Sequence, residues 1–306
     1  MIACAGGNFF ITHLPPIIMT TPASKRPARS ILLISCPDQP GITREVSDFV
    51  SAHKGNIVSL QQLVEKNDSH LFMRIKWTSS HEDACDLNVD KQFKPIADRF
   101  NMQFSVSCSI TRKSLALFAS STTHCLEKIL YDHSEDNLDV DIPLIISNSE
   151  KSRKVAERYA IPFHYISTKE SGYEARQFEL LKKHKPDFIG LARYMKVLSP
   201  AFIAHYPNRI INIHHSFLPS FVGAKPYEDA YNRGVKLIGA TSHFVIPELD
   251  QGPIIEQDVS RVREGFDADR LEKQGRDIES KVFYFAIEKY LQDKLIIYKN
   301  RVIVFN

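Results

Sequence analysis

Asn212 and His214 stand two positions apart in the run Ile211-Asn212-Ile213-His214-His215-Ser216-Phe217-Leu218-Pro219-Ser220. Together with Arg209 and Ile210, the apolar residues around them read as the end of a β-strand, and strand alternation puts both side chains on one face. An asparagine amide can donate to a carbonyl oxygen as it becomes an oxyanion; a neighbouring histidine can donate too, or move a proton. Farther on, His243-Phe244-Val245-Ile246-Pro247-Glu248-Leu249-Asp250-Gln251-Gly252-Pro253 sets a lone aspartate in a turn before another apolar strand, beginning Ile254-Ile255. A carboxylate beside His214 helps it cycle a proton. An amide donor, a histidine and a carboxylate converging on one point form an acyl-group site without a covalent nucleophile. Residue types alone leave plainer readings open: a histidine that is only hydrogen-bonded at a strand end, and an aspartate that only stabilises a turn.

These residues need a scaffold, and the second part of the chain, about Thr111 to Asn306, supplies one. Strand-like runs at Ser114–Ala119, Val140–Ile146, Phe163–Ile166, Phe188–Leu191 and Arg209–Ile213 alternate with helical patterns at His124–Tyr131, Ser149–Ala160 and Gly172–Lys183. Such alternation predicts a mostly parallel, Rossmann-like sheet with right-handed crossovers. Open sheets of this kind bind ligands beyond the carboxyl ends of their strands, where Asn212 and His214 fall. A long helix over Asp267–Tyr290 and a hairpin, Lys294–Tyr298 and Arg301–Phe305 about Lys299-Asn300, close the chain.

The first part, about Ser30 to Ile110, reads differently. A buried-strand run, Ile31–Ile34, precedes the turn Pro37-Asp38-Gln39-Pro40-Gly41 and a helix over Ile42–Ala52, which Gly55 is expected to end in the left-handed conformation. Strands at Asn56–Val64 and His70–Trp77, a helix at Val89–Phe100 and a strand at Met102–Ile110 complete a β-α-β-β-α-β order. That is the ferredoxin-like split arrangement. The fold class expected is therefore α/β, two domains at 30–110 and 111–306 behind a leader at 1–29.

Composition narrows the function. Of 306 residues, 43% are hydrophobic and 25% charged, and the net charge is +3. No basic block is present, so no nucleic-acid partner is expected. No apolar run reaches the roughly 20 residues that span a bilayer, so no membrane partner is expected either. The five cysteines are widely spaced and form no C-x-x-C pair. They predict reduced thiols in a cytoplasmic setting, with Cys36 and Cys108 as core residues. His214, His215 and His243 lack zinc-type companions, and no metal is expected. Residues 1–29 hold no acidic residue and three basic ones, Lys25, Arg26 and Arg29. They fit a disordered leader, a start at Met19, or a mitochondrial or plastid transit peptide.

The stretch Asn212–Ser220, with Gly223, Gly239-Ala240-Thr241-Ser242-His243-Phe244-Val245 and Leu249–Ile255, resembles the folate-dependent formyltransferase fold over most of Lys113–Asn306. Within that superfamily the chain is similar to the formyltetrahydrofolate deformylase branch. His215 stands where ribonucleotide formyltransferases have proline. Gly223-Ala224-Lys225-Pro226-Tyr227, with Ala230-Tyr231, has the deformylase form. So does Phe72-Met73-Arg74-Ile75 in the first block, which resembles an ACT domain through Cys36–Ile42 and Gly55-Asn56-Ile57. The position of the ribonucleotide enzymes' glycine-rich phosphate loop reads Phe118-Ala119-Ser120-Ser121-Thr122-Thr123-His124-Cys125, without glycine. Backbone amides need glycine to approach a phosphate closely.

The resemblance implies hydrolysis of 10-formyltetrahydrofolate to formate and tetrahydrofolate, with no permanently bound cofactor. Asn212, His214 and Asp250 are then the catalytic trio, and the pterin lies against Met195, Lys196, Val197 and Leu198, near His243 and Gly252. His215 is a supporting residue, and Lys225 attracts the acidic folate tail or is plain surface. The ACT-like block implies an amino-acid effector at Asp38, Gly41 and Asn56, and a homo-oligomer. Two other readings stay open: formyl transfer to an amine acceptor, and a non-catalytic folate or amino-acid sensor.

Overall fold

Alternation along residues 71–77 decides the first sheet. Leu71, Met73, Ile75 and Trp77 are buried in one cluster with helix residues Val46, Phe49 and Phe93, while Phe72, in between, belongs to another cluster on the opposite face. The computed structural model describes residues 29–79, 88–109, 111–219, 226–263 and 265–306. Its first unit comprises β1 (Arg29–Pro37), α1 (Ile42–Ala52), β2 (Gly55–Glu65), β3 (His70–Ser79), α2 (Val89–Arg99) and β4 (Gln103–Cys108). The strands pair antiparallel in the order β2-β3-β1-β4, the expected ferredoxin-like arrangement of an ACT domain.

The second unit contains β5 (Lys113–Ala119), α3 (His124–Ser134), β6 (Val140–Ser147), α4 (Arg153–Arg158), β7 (Phe163–Tyr165), α5 (Tyr173–His184) and β8 (Phe188–Ala192). It continues through α6 (Pro200–His205), β9 (Ile210–His214), α7 (Pro226–Asn232), β10 (Leu237–Phe244), β11 (Ile254–Arg261), α8 (Ala268–Leu291), β12 (Leu295–Tyr298) and β13 (Arg301–Val304). Seven strands form one sheet in the order β11-β10-β9-β8-β5-β6-β7. From β9 to β7 they are parallel; β10 and β11 run antiparallel. Central β5 is buried on both faces: Leu115, Leu117 and Ala119 enter one core cluster, Ala116 and Phe118 the other. This two-sided burial is why a parallel strand reads as a continuous apolar run. Helix α8 lies in the first of these clusters through Leu271, Ile278, Val282, Phe283, Ala286 and Ile287.

The hairpin of β12 and β13 docks on the first unit. Ile303 and Phe305 meet Leu33 and Phe72. Arg74 donates to the carbonyls of Asp293 (2.8 Å) and Gln292 (2.9 Å) just beyond α8, satisfying acceptors that a helix end leaves unpaired.

Several expectations change. Gly55 does not end α1 in the left-handed region; Lys54 does, with φ 54°. Gly55 opens β2 instead, where an added Cβ would lie 2.6 Å from Trp77, so the position demands smallness rather than a positive φ. The predicted helix at Ser149–Ala160 is a short 3-10 turn followed by the six residues of α4. Arg29 belongs to β1 rather than to the leader. Cys108 is disulfide-bonded, with its partner outside the described residues, whereas Cys36 and Cys125 are free and buried. Partly exposed at the end of β4, Cys108 is not the enclosed core thiol expected. The remaining leader residues, Ile110 and Lys225 lie outside the described residues.

Candidate active site

Strands β9 and β10 bring the first residues together. Their antiparallel register sets Asn212 opposite His243 and His214 opposite Thr241. Directly opposed side chains in such a pair start about 4.5–5.5 Å apart at Cβ, and Asn212 Nδ2 lies 3.2 Å from His243 Nε2. His243 Nδ1 lies 2.9 Å from the Phe244 carbonyl. A carbonyl only accepts, so this network places a proton on Nδ1 and turns Nε2 toward the Asn212 amide and the loop beyond it.

Asp250 arrives from the loop joining β10 to β11. The Phe244 amide donates to the Pro253 carbonyl at 2.9 Å and pins the loop shut. Gly252 passes so near that a Cβ there would lie 1.7 Å from the Phe244 oxygen. Asp250 adopts φ 56°, a left-handed conformation in which aspartate is enriched among non-glycine residues. Its carboxylate then reaches back over the strand ends, with Oδ2 3.3 Å from His214 Nδ1 and Oδ1 3.6 Å from His243 Nε2. Hydrogen bonding to His214, and next to His243, holds the Asp250 carboxyl well below the usual carboxylate range, although burial works against this. The proton on His214 Nδ1 points to Asp250, which leaves Nε2 as the basic nitrogen. That atom is buried and has no hydrogen-bond partner among the described residues, an unusual state for a buried polar group.

The trio lies on the wall of a cleft of about 430 Å³, at the carboxyl ends of β8 and β9 where open parallel sheets place ligands. Its lining is largely apolar and includes Tyr194, Leu198, Ile203 and Val245. Met195, Lys196, Val197 and Leu198 form one side, with Met195 and Val197 50% and 62% exposed. Two anchors fix this segment: the Met195 amide donates to Ser120 Oγ (3.0 Å), and the Ser199 amide and hydroxyl donate to Glu174 (2.9 and 2.5 Å). His243 lines the cleft as well, whereas Gly252 does not and shapes the loop behind it. Asp38, Gly41 and Asn56 are exposed on the first unit and line no part of the cleft.

Sequence reasoning missed the cluster behind the cleft. Glu279, 1% exposed, accepts from Tyr227 OH (2.5 Å) and His124 Nε2 (2.8 Å) and pairs with Arg193 Nε at 3.2 Å. Burial pushes its carboxyl up, but His124, Arg193 and Tyr227 outweigh burial and hold it below the ordinary value. Gly275, one turn before Glu279 on α8, makes room: a Cβ there would lie 2.0 Å from Tyr227 OH. Arg193 reaches the cleft wall, and His215 spans the two groups, with ring centroids 5.1 Å from His214 and 6.3 Å from Tyr227. The available signal was an acidic residue within the buried stripe of α8. His124, Cys125 and Glu279 bring three potential metal-ligand atoms within 4.8 Å of one another, yet Arg193 and His124 already meet the carboxylate's charge.

The Formyl transferase family matches residues 113–287. Formyltetrahydrofolate deformylase of Bacillus subtilis is 44% identical over 279 residues, covering 90% of this chain and 93% of that protein. The chain belongs to the formyltetrahydrofolate deformylase family. The family fold extends over both units: the crystal structure of a deformylase from Pseudomonas syringae covers 92% of this chain and 96% of its own, with a TM-score of 0.87 at 38% identity. A glycinamide ribonucleotide transformylase from Symbiobacterium toebii covers only 64% of this chain, though 95% of its own, with a TM-score of 0.61 at 27% identity. What the deformylases share beyond such a transformylase is therefore about the extent of the first unit.

Proposed function

We propose that the chain hydrolyses 10-formyltetrahydrofolate to formate and tetrahydrofolate, with Asn212, His214 and Asp250 acting on the formyl group. One observation carries the reading: a buried imidazole nitrogen, His214 Nε2, stands unpaired on the wall of an apolar cleft while the ring's other nitrogen faces an ionised Asp250.

The substrate's pterin lies against the anchored Met195–Leu198 segment, and the formyl carbon comes to rest beside Asn212 and His214. Asp250 orients the imidazole, and His214 Nε2 takes a proton from a water molecule. The water oxygen bonds to the formyl carbon, and the carbonyl oxygen becomes an oxyanion. Asn212 Nδ2 donates to that oxygen, as one such donor contributes about 3–4 kcal/mol in other hydrolases. The protonated His214 adds a second favourable charge. Collapse breaks the carbon–nitrogen bond; the imidazolium proton goes to the leaving nitrogen, and formate departs. His243 Nε2, 3.2 Å from Asn212 Nδ2, keeps the amide in position. The scheme uses the chain's own side chains and calls on no permanently bound cofactor.

The same reading makes residues 30–110 a regulatory unit taking an amino acid at Asp38, Gly41 and Asn56, within a homo-oligomer, and residues 111–306 the catalytic unit. The test is formate release from 10-formyltetrahydrofolate by purified protein with no amine present, for wild type and Asp250→Asn. Equal amounts of formate and tetrahydrofolate, lost in the variant, are expected. A folded wild type that releases formate only when an amine is added is a transferase; one that consumes no substrate at all sinks the proposal.

A further inference from the structure

The face of the first sheet turned toward the second unit changes character along its length. At one end Leu33 and Phe72 pack on Ile303 and Phe305. Arg74 and Lys76 continue the same face of β3, paired in register with Leu33 and Ile31 of β1 and with Gln61 and Ser59 of β2. There the two units enclose a cavity of about 580 Å³. None of its lining residues lines the catalytic cleft. It also lies at the Arg29 end of β1, the end that Asn56 shares because both pair with Thr78, and away from Asp38 and Gly41 beyond the other end.

Six basic side chains on the wall of this cavity, Arg29, Arg74, Lys76, Arg112, Lys113 and Lys294, face four acidic ones, Asp136, Asp139, Glu288 and Asp293. Arg112 pairs with Asp139 at 2.6 Å, Lys113 with Asp293 at 2.5 Å, and Arg74 is occupied by the two carbonyls beyond α8. Glu288 accepts from Tyr284, and Asn306, also on the wall, accepts from Gln61 through its main-chain oxygen. Arg29, Lys76 and Lys294 remain, and among the described residues none has a carboxylate within 4.0 Å. The neighbours of Lys76 are of its own sign: burial, then Arg29, Arg74 and Lys294, push its ammonium below the ordinary lysine value. Partly desolvated like charges oppose folding unless something answers them. The same strand face carries Phe72 four residues earlier, so nothing in the fold obliges a lysine here.

We propose that this cavity binds a small organic anion with at least two negative charges, held by Lys76, Arg29 and Lys294 across the boundary between the two units. A phosphate ester and a dicarboxylate share that chemistry, and the volume falls within the range of small-molecule sites. The inference rests on the interunit geometry alone and is independent of the hydrolase reading.

Calorimetric titration of the full-length protein tests it, with inorganic phosphate and succinate as probes and sodium chloride at matched ionic strength as the blank. Saturable binding of at least one probe is expected, weakened about tenfold or more in Lys76→Met and retained in Lys76→Arg. Binding of phosphate alone assigns a phosphate ester, of succinate alone a dicarboxylate, and of both a dianion of either kind. Removing an unanswered charge is also expected to leave the melting temperature of unliganded Lys76→Met equal to or above that of wild type. Absence of binding beyond the chloride blank overturns the proposal. So does an affinity unchanged in the Lys76→Met/Lys294→Ala double variant.

Discussion

Asp250 and Glu279 are both enclosed carboxylates facing histidine, joined through His214, His215 and Tyr227, and they are saturated to different degrees. Glu279 has three partners at 2.5, 2.8 and 3.2 Å. Asp250 has two histidine nitrogens at 3.3 and 3.6 Å, and its side chain keeps 14% exposure to the cleft. A fully answered carboxylate holds elements together: Glu279 of α8 fastens Tyr227 of α7, His124 of α3 and Arg193 after β8. A loosely answered one, backed by a histidine with an unpaired nitrogen, has capacity left for a reacting molecule. Position in a buried cluster therefore separates structure from chemistry less well than completeness of the hydrogen-bond shell.

The comparison predicts opposite phenotypes. Asp250→Asn, which keeps a side chain tolerant of the left-handed backbone, is expected to lower kcat for formate release by about 10³–10⁴-fold. Its unfolding free energy should fall by only about 1–2 kcal/mol. Glu279→Gln is expected to do the reverse. It leaves Arg193, largely enclosed, without its counter-charge, a loss of about 3 kcal/mol in chemical denaturation, while the folded fraction retains most of its turnover. A Glu279→Gln protein that melts like wild type yet loses turnover as deeply as Asp250→Asn would show that Glu279 takes part in the chemistry.

A third variant probes how Asp250 is aimed. Gly252→Ala puts a methyl group 1.7 Å from the Phe244 oxygen, so the loop must move and carry Asp250 with it. A displacement of about 1 Å at a reacting group lowers rates about 100-fold. The expected pattern is a lower kcat with KM little changed, because Gly252 itself lines no part of the cleft. A variant with wild-type kcat would mean that Asp250 tolerates a wider range of positions than its two long contacts suggest.

Much of this was legible in the sequence, and the gaps have physical causes. Parallel strands buried on both faces announce themselves as apolar runs, and β9 set Asn212 and His214 on one face by alternation alone. β10 was not read as a strand because Gly239, Thr241, Ser242 and His243 interrupt its apolar character. Those polar groups are buried because partners distant in sequence satisfy them: Thr241 Oγ1 accepts from the Leu218 amide and donates to the Ser216 carbonyl, and Ser242 Oγ donates to the Asn212 carbonyl. Without β10 there is no register to bring His243 to Asn212, and no strand end over which Asp250 can fold back. Glu279 was overlooked for the same reason, since its partners come from α3, α7 and the turn after β8. Asp250 could be named from residue type, but its reach depends on a left-handed backbone and a glycine contact that no local pattern announces.

The smallest expected effect is also the one that ties Asp250's charge to its neighbours. Its carboxyl is held below the ordinary value of 3.8 by His214 first and His243 second. A carboxyl with a depressed folded pKa adds stability that is fully present above its unfolded value and is lost as pH falls through its folded one. The stability gap of about 1–2 kcal/mol between wild type and Asp250→Asn should therefore hold steady on going from pH 5 to about 4. Below the ordinary value of 3.8 it should narrow, because the unfolded chain then binds a proton that the folded site resists. Urea denaturation of both proteins in steps from pH 5 to about 3 would measure this. A gap that stays constant down to about pH 3 would mean that the two histidines do not stabilise the carboxylate, and Asp250 would lose its distinction from an ordinary turn residue. Glu279→Gln in the same series supplies the contrast: its carboxyl is also held below the ordinary value, here 4.5, so its larger gap should move in the same direction but begin to narrow at a higher pH than that of Asp250.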